Sequence, residues 1–503
     1  MTVSFLFRMR RVAVFGAAGL LAACAAPPPT APDTPARSIA RRELDAMHQM
    51  LLDAHPGAID DENPGYRVRI DAAHAAALAR LPEVRDEHDA MGLADWYAAS
   101  FHDGHLHRSN DVVLGDASIV DGWSLGRADD GRVRVNAVLP DWPVALPPVG
   151  AELLSCDGRS PERLVDEDVM AYSPPVQPSQ RDAWLPALAR PAMSSLRARS
   201  CRFRLADGRD IDLEQRYQPV GTAGLEVLWA QAPHVDAARV NDFAMLPDGT
   251  LWVRAGNFQL DAAGEASLVD MLARLEKLPP PRRIVFDARG NGGGSSDTGD
   301  RIFNAATGGL EYDEDGLDQL PRMQAWWRVS PQAMVAREPI VAQVEAARGA
   351  DDYAVKDEHA RWQREREALA RGERWVSQGD GYPSLTPAEL VRRHAHLARF
   401  AGPIALLTDG NCYSACLDFA DRVRAVPGAI HLGEATGFDS IYLDVGWLTL
   451  PSGNALVLPL KVWRNRPRGN DQPWVPQIPI KVTGVDDARV RAEVLAALDR
   501  ASR

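Results

Sequence analysis

The stretch "RRIVFDARGNGGG" (Arg282–Gly294) decides the fold. Its first half is an uninterrupted apolar run with a charged boundary, the pattern of a parallel strand buried on both faces. Its second half is a glycine cluster placed where such a strand ends. Working outward, "GTLWVRAGNF" (Gly249–Phe258) reads as a neighbouring strand and "AGEASLVDMLARLEKL" (Ala263–Leu278) as the helix between them. A second unit repeats the order: "GPIALLTDG" (Gly402–Gly410), the helical "CYSACLDFADRVRAV" (Cys412–Val426), and "AIHLGEAT" (Ala429–Thr436). Strands alternating with helices predict an α/β fold with a parallel sheet and functional loops at the strand ends.

The chain has 503 residues, more than one core usually supports, so two or three domains are expected. A hydrophobic content of 46% marks a globular protein, and a net charge of −13 argues against a nucleic-acid surface. "RRELDAMHQMLLDAH" (Arg41–His55) and "RIDAAHAAALARL" (Arg69–Leu81) carry apolar residues at helical spacing. From Val112 to about Pro219 the pattern shortens to strands and turns, with hairpin chemistry at "CRFRLADGRDIDLEQ" (Cys201–Gln215). Between Glu311 and Phe400 the chain is rich in Glu, Arg, Ala and Trp and reads as a helical insertion.

The N-terminus reads as an export signal: Arg8, Arg10 and Arg11 precede the short apolar run "VAVFGAAGLLAAC" (Val12–Cys24). That run is too short for a spanning helix, which needs roughly 20 apolar residues. Leu21-Ala22-Ala23-Cys24 resembles a bacterial lipobox, which implies lipidation at Cys24, and the Pro-rich "APPPTAPDTPARS" that follows suits a tether. Ala25 in place of aspartate favours the outer membrane, facing the periplasm. Four further cysteines are then free to pair in an oxidising compartment. The most economical pairing is Cys156 with Cys201 and Cys412 with Cys416.

Three stretches carry chemistry. The glycines after Asp287 fit neither a P-loop nor a dinucleotide fingerprint; they make either a tight turn or a cradle of backbone N–H donors for an oxyanion. In "TDGNCYSACLDFADRV" (Thr408–Val423), Ser414 stands near a helix N-terminus, either as a simple N-cap or as an exposed nucleophile beside a favourable dipole. Cys412 and Cys416 compete with it as thiols, or form a bridge. "FHDGHLHRSND" (Phe101–Asp111) offers His102, His105 and His107 as a solvated loop, as metal ligands without a supporting motif, or as a distant general base for Ser414.

Taken together, these stretches resemble the carboxy-terminal processing, or tail-specific, family of serine peptidases. "FHDGHL" resembles the family's Asp-Gly-His-Thr segment, and "GAELLSCDGRSPERL" (Gly150–Leu164) a degenerate PDZ-like module. Asp287, Arg289, Asn291, Gly293 and Gly294 match the Asp-x-Arg-x-Asn-x-Gly-Gly motif. "GNCYSACLDFADRVRAVPGAIHLGEATG" (Gly410–Gly437) matches the serine-bearing segment, and "LPSGNALVLP" with "NDQPWVPQIPI" resembles the closing strands. The resemblance implies an α/β, ClpP/crotonase-like catalytic core at 221–310 and 401–503. It also implies a signal at 1–23, a tether at 24–38, an N-terminal helical domain at 39–111, a PDZ-like β-rich module at 112–220, and an insertion at 311–400. The lysine base of the dyad-type members is absent; its position falls beside Asp439, and Lys461 is too far along the chain. The tricorn-like and retinoid-binding-protein-like branches supply a histidine instead. Carried over, His105 serves as base for Ser414, Gly293 and Ala415 form the oxyanion hole, and Asp471 orients the histidine, with Asp439 and Glu434 as rivals. The activity so implied is peptide-bond hydrolysis through an acyl-enzyme, without metal or cofactor. Its partners are a peptide or protein substrate and, through Cys24, a membrane. A catalytically silent, peptide- or ligand-binding relative is the alternative.

Overall fold

The computed structural model describes residues 34–109, 118–128, 130–230, 238–313, 320–383 and 387–501. The export signal, Cys24 and most of the expected tether lie outside the described residues. The first helix, Pro35–Ala54, already begins within the segment read as tether, capped by Thr34 Oγ1 accepting from Arg37 N.

A six-stranded sheet holds the middle of the molecule. Its order is Ile478–Pro479, Ile430–Gly433, Ile404–Thr408, Arg283–Asp287, Thr250–Ala255 and Asn241–Met245. The first five are parallel and the last is antiparallel. Alternation along each strand sorts its residues between two apolar layers. Leu251, Val253, Ile284, Phe286, Ile404 and Leu406 face the helices Ala262–Leu275, Ser296–Thr307 and Ala415–Arg424. Trp252, Val285, Ala405 and Leu407 face the last helix, Asp487–Ala501. Covering on both faces explains the apolar runs Ile284–Phe286, Leu251–Val253 and Ile404–Leu407 in the three inner strands. Each large side chain buried this way stabilises the fold by about 1.5–3 kcal/mol.

The expected helical insertion is not purely helical. Its helices Pro331–Arg348 and Tyr353–Ala370 are bracketed by the strands Arg322–Arg328 and Trp375–Pro383, which pair with each other. These join a second sheet built on the long strand Ala455–Arg464, whose other partners are Tyr442–Thr449 and the short His107–Ser109. The N-terminal helices do not form a core of their own. Leu44, Met47, Leu93 and Tyr97 share one apolar cluster with Leu448, Leu456, Leu458, Val462 and Trp327.

The region 118–220 forms a five-stranded antiparallel sheet, from Trp123–Arg127 to Asp210–Glu214. Cys156 and Cys201 face each other across two of its strands and are bridged, as are Cys412 and Cys416. Among the described residues no helix is long and apolar enough to cross a membrane.

Candidate active site

The strand Arg283–Asp287 ends in charge rather than in a simple turn. Buried Asp287 accepts from Arg254 Nη1 (2.6 Å), Arg289 Nε (2.9 Å), Arg289 Nη2 (2.7 Å) and Trp252 Nε1 (3.1 Å). Burial pushes its carboxyl up, but the two guanidiniums outweigh this and hold it below the usual range. This knot anchors the glycine loop. Asn291 Nδ2 donates to Ala255 O (2.8 Å), Asn291 Oδ1 accepts from Gly293 N (2.8 Å), and Gly290 N donates to Asp409 Oδ1 (3.0 Å).

The strand Ile404–Thr408 delivers the next turn beside that loop. Asp409 also accepts from Asn411 N (3.2 Å) and Nδ2 (2.8 Å), and Tyr413 N donates to Asn291 O (3.4 Å). Ser414 then sits at the start of Ala415–Arg424 with φ 53° and ψ −126°. Residues with a Cβ avoid that region, and holding one there costs about 1–3 kcal/mol. The strand-to-helix turn brings Ser414 to the cavity wall, a placement that nucleophile elbows also use. Ser414 occupies the N-cap position, but its side chain makes no capping bond and is left free for another role. Gly293 is needed here: a Cβ on it would lie 2.8 Å from Tyr413 O and 2.9 Å from Ser414 Cβ, at a φ of +100°.

The amide of Gly293 is committed to Asn291, which corrects its expected role as a free oxyanion donor. The first amide of the helix, that of Ala415, has no acceptor among the described residues, and neither has that of cavity-lining Gly292. Both lie beside the serine as uncommitted donors.

His105 reaches the same place through pairing. His107–Ser109 adds to the strand Ala455–Arg464 in the register His107↔Val457, which carries the preceding loop to the core. A Cβ on Gly104 would lie 3.8 Å from the Tyr413 ring, so this loop packs on the serine turn. His105 and Ser414 line one cavity of about 1540 Å³ with Gly292, Ala415, Asp444 and Lys461. That exceeds the ~300–1,000 Å³ of small-molecule sites and leaves room for several residues of an extended peptide. The two side chains are not hydrogen-bonded to each other in this structure. His102 is exposed, and His107 Nδ1 donates to Gly104 O (3.2 Å). Among the described residues, no three His, Cys, Asp or Glu side chains converge as metal ligands.

The acid beside His105 is Asp103, not Asp471. Asp103 is buried, accepts from His105 N (2.8 Å) and Ser440 Oγ (2.7 Å), and lies 3.6 Å from His105 Nδ1. Burial opposes the imidazolium, yet Asp103, helped by Asp439 and Asp444, raises the histidine above its ordinary value. Burial likewise opposes the Asp103 carboxylate, and its bonds to His105 and Ser440 keep it low. Asp471 is exposed and accepts from Asn470 Nδ2 (2.5 Å). Among the rivals, Asp439 is paired with Arg466 (3.0 Å) and Arg468. Glu434 accepts from Val482 N, Thr483 N and Thr483 Oγ1.

Lys461, remote in sequence, does line the cavity. Its ammonium donates to Gln378 Oε1 (3.0 Å) and pairs with Asp444 (2.5 Å), between the rings of Trp327 and Trp463. Burial lowers its pKa, against the pull of Asp444. The antiparallel module also touches the site: Tyr413 Oη donates to Pro175 O (2.9 Å), and Gln180 and Trp184 line the cavity.

Residues 250–472 match the model of peptidase family S41. None of the curated proteins matches the chain. Among solved structures, mature CPAF is similar over 89% of this chain and 93% of its own, at 13% identity and a TM-score of 0.54. Mature CPAF complexed with lactacystin is similar over 93% and 98%, at 13% identity and a TM-score of 0.55. At that identity the likeness establishes the α/β fold.

Proposed function

We propose, from the premise that the chain is a serine-type peptidase with a family S41 core at residues 250–472, that it hydrolyses peptide bonds through an acyl-enzyme on Ser414. Asp103 holds His105, and His105 takes the Ser414 proton as Oγ attacks the scissile carbonyl carbon. The carbonyl oxygen becomes an oxyanion against the Ala415 amide, with the Gly292 amide beside it. Collapse breaks the C–N bond, and the imidazolium returns its proton to the leaving amine. Water, deprotonated by the same imidazole, then releases the acyl group and restores Ser414.

The observation that carries this reading is the convergence of an uncapped, strained Ser414 and an Asp103-paired His105 on one peptide-sized cavity. Apo sites of this kind tighten their hydrogen bonds only on binding substrate. A fluorophosphonate probe tests it: labelling of the mature chain is expected, and is lost in both Ser414→Ala and His105→Ala. A folded but unlabelled wild type overturns it. That outcome would favour a silent peptide-binding relative, the reading supported by the missing Ser414–His105 bond and the occupied Gly293 amide.

The proposal extends to place and partner. Support comes from the sequence: the basic and apolar leader, the lipobox-like Leu21–Cys24 and the Pro-rich tether point to a lipid anchor at Cys24. Each buried acyl methylene contributes about 0.8 kcal/mol, so several chains hold firmly. The enzyme then works in the bacterial envelope, at the outer membrane facing the periplasm. The PDZ-like module, which carries Pro175 and Gln180 to the cavity, is placed to gate peptide entry. Incorporation of a clickable palmitate analogue, lost in Cys24→Ala, is the expected result for the anchor; equal incorporation removes it.

A further inference from the structure

The two disulfides stand in different settings. Cys156–Cys201 ties residues 45 apart across paired strands. Cys412–Cys416 spans a separation of 4 and has Ser414 at its midpoint. Closing so short a loop removes little freedom from the unfolded chain, so stability is a weak reason for this second bridge.

The turn it encloses does need holding. Ser414 has the φ 53°, ψ −126° backbone that an L residue leaves unless its surroundings over-determine it. The hydrogen bonds ahead of it are long: Cys412 N to Asp409 O at 3.2 Å and Tyr413 N to Asn291 O at 3.4 Å. Behind it, Cys416 N donates to Tyr413 O (3.0 Å) and Leu417 N to Ser414 O (2.7 Å). Cys412 and Cys416 are fully buried in the apolar cluster that contains Phe258, Phe286 and Phe419. The covalent ring is therefore seated in the rigid core on one side and presents Ser414 and the Ala415 amide on the other.

We infer that the Cys412–Cys416 bridge is a positioning clasp for the nucleophile. It rests on the reading of Ser414 as the attacking group. With the bridge closed, the residues flanking Ser414 keep a fixed separation and the strained φ is retained. With it open, the turn relaxes, moving Oγ and the Ala415 amide together. A displacement of about 1 Å at a reacting atom costs roughly 10²-fold in rate. The cavity walls at Trp327, Asp444 and Lys461 are untouched, so binding is preserved. Opening by a dithiol is balanced: the S–S bond breaks, two electrons and two protons pass from the dithiol, two thiols form, and the dithiol leaves as its own disulfide.

The test is fluorophosphonate inactivation of the mature wild type and of Cys412→Ala/Cys416→Ala, resolved into maximal rate and half-saturating concentration. The expected result is a maximal rate lower by about 10²-fold, with half-saturation, circular dichroism and melting midpoint nearly unchanged. A folded variant inactivated at the wild-type rate overturns the clasp and leaves the peptidase reading standing. An unlabelled wild type removes the peptidase reading, and the clasp with it. Should the double variant fail to fold, the comparison moves to Cys156→Ala/Cys201→Ala, in which Cys412–Cys416 is the bridge that dithiothreitol opens, its thiols counted by alkylation and mass spectrometry. Unfolding there too overturns the proposal, because the bridge would then hold the domain and not the serine.

Discussion

Ser414 stands on a turn held from several sides: by the Cys412–Cys416 bridge, by Asp409, by Asn291 of the glycine loop, and by Tyr413 bonded to Pro175. Across the cavity, His105 is fixed by its backbone amide, while its Nδ1 has no hydrogen-bond partner and lies 3.6 Å from Asp103. One wall of the cleft is fully bonded in this structure; the other leaves His105 Nδ1 short of a hydrogen bond to Asp103. A contraction of that gap to hydrogen-bond length completes the Asp103–His105 contact, and substrate binding is the event placed to drive it. On the proposed mechanism, the fold sets the position of Ser414, and substrate binding is expected to complete the alignment of His105.

The largest effect expected is on the finished wall. Ser414→Ala removes the nucleophile and should lower peptide turnover by about 10⁴-fold or more, with an unchanged circular dichroism spectrum. Retained turnover would mean another group attacks. The unfinished wall comes next. Asp103→Asn keeps the shape of the loop but removes the charge that stabilises imidazolium, and should cost up to about 10⁴-fold in kcat. It also carries a pH signature. His105 is held above its ordinary value, so it keeps its proton to higher pH and the neutral base is lost as pH falls through that raised value. The acid limb of kcat/KM should therefore lie above about 6.5 and move down in Asp103→Asn. A limb that stays put would show that Asp103 does not hold the histidine.

Gly293→Ala sharpens the contrast at smaller scale. Its Cβ meets Tyr413 O at 2.8 Å and Ser414 Cβ at 2.9 Å, at a φ closed to alanine. Relief requires the serine turn to shift, so kcat should fall by roughly 10–10²-fold and stability by about 1–3 kcal/mol. Thermal melts beside steady-state rates check both. Unaltered kcat with a lowered melting point would show that the finished wall tolerates displacement, against the argument above.

How much of this was legible follows from where each signal resides. The inner parallel strands were plain, because burial on both faces leaves an apolar run that few other elements share. Ser414 and His105 could be singled out as candidates because each sits in a short, chemically distinct motif, and the structure brings both to one cavity. The strand Arg322–Arg328 was hidden: its "RMQAWWR" lies in a Glu-, Arg- and Trp-rich stretch whose long charged helix set the reading. Lys461 was set aside for its distance along the chain, yet the antiparallel pairing of Tyr442–Thr449 with Ala455–Arg464 folds it back to the cavity. Asp103 was in the quoted motif and still missed. An aspartate two residues before a histidine can accept its amide as an Asx-turn, a local signal that the more distant family acid overshadowed.

That displaced acid supplies the smallest effect. Asp471 is exposed, its carboxylate accepts from Asn470, and its amide donates to Asp439 O through the backbone. Partial desolvation of the carboxylate, with Asp103 and Asp439 nearby, raises its pKa, and it makes no bond to His105. Asp471→Asn leaves that backbone bond intact and removes one surface charge of the kind worth about 0–1 kcal/mol. Turnover should change by less than about threefold, with the acid limb in place, whereas Asp103→Asn moves it. If Asp471→Asn instead gave the large loss and the shifted limb, the unfinished wall would have its anchor at the C-terminal loop, and the movement that completes it would bring Asp471 to His105 rather than Asp103.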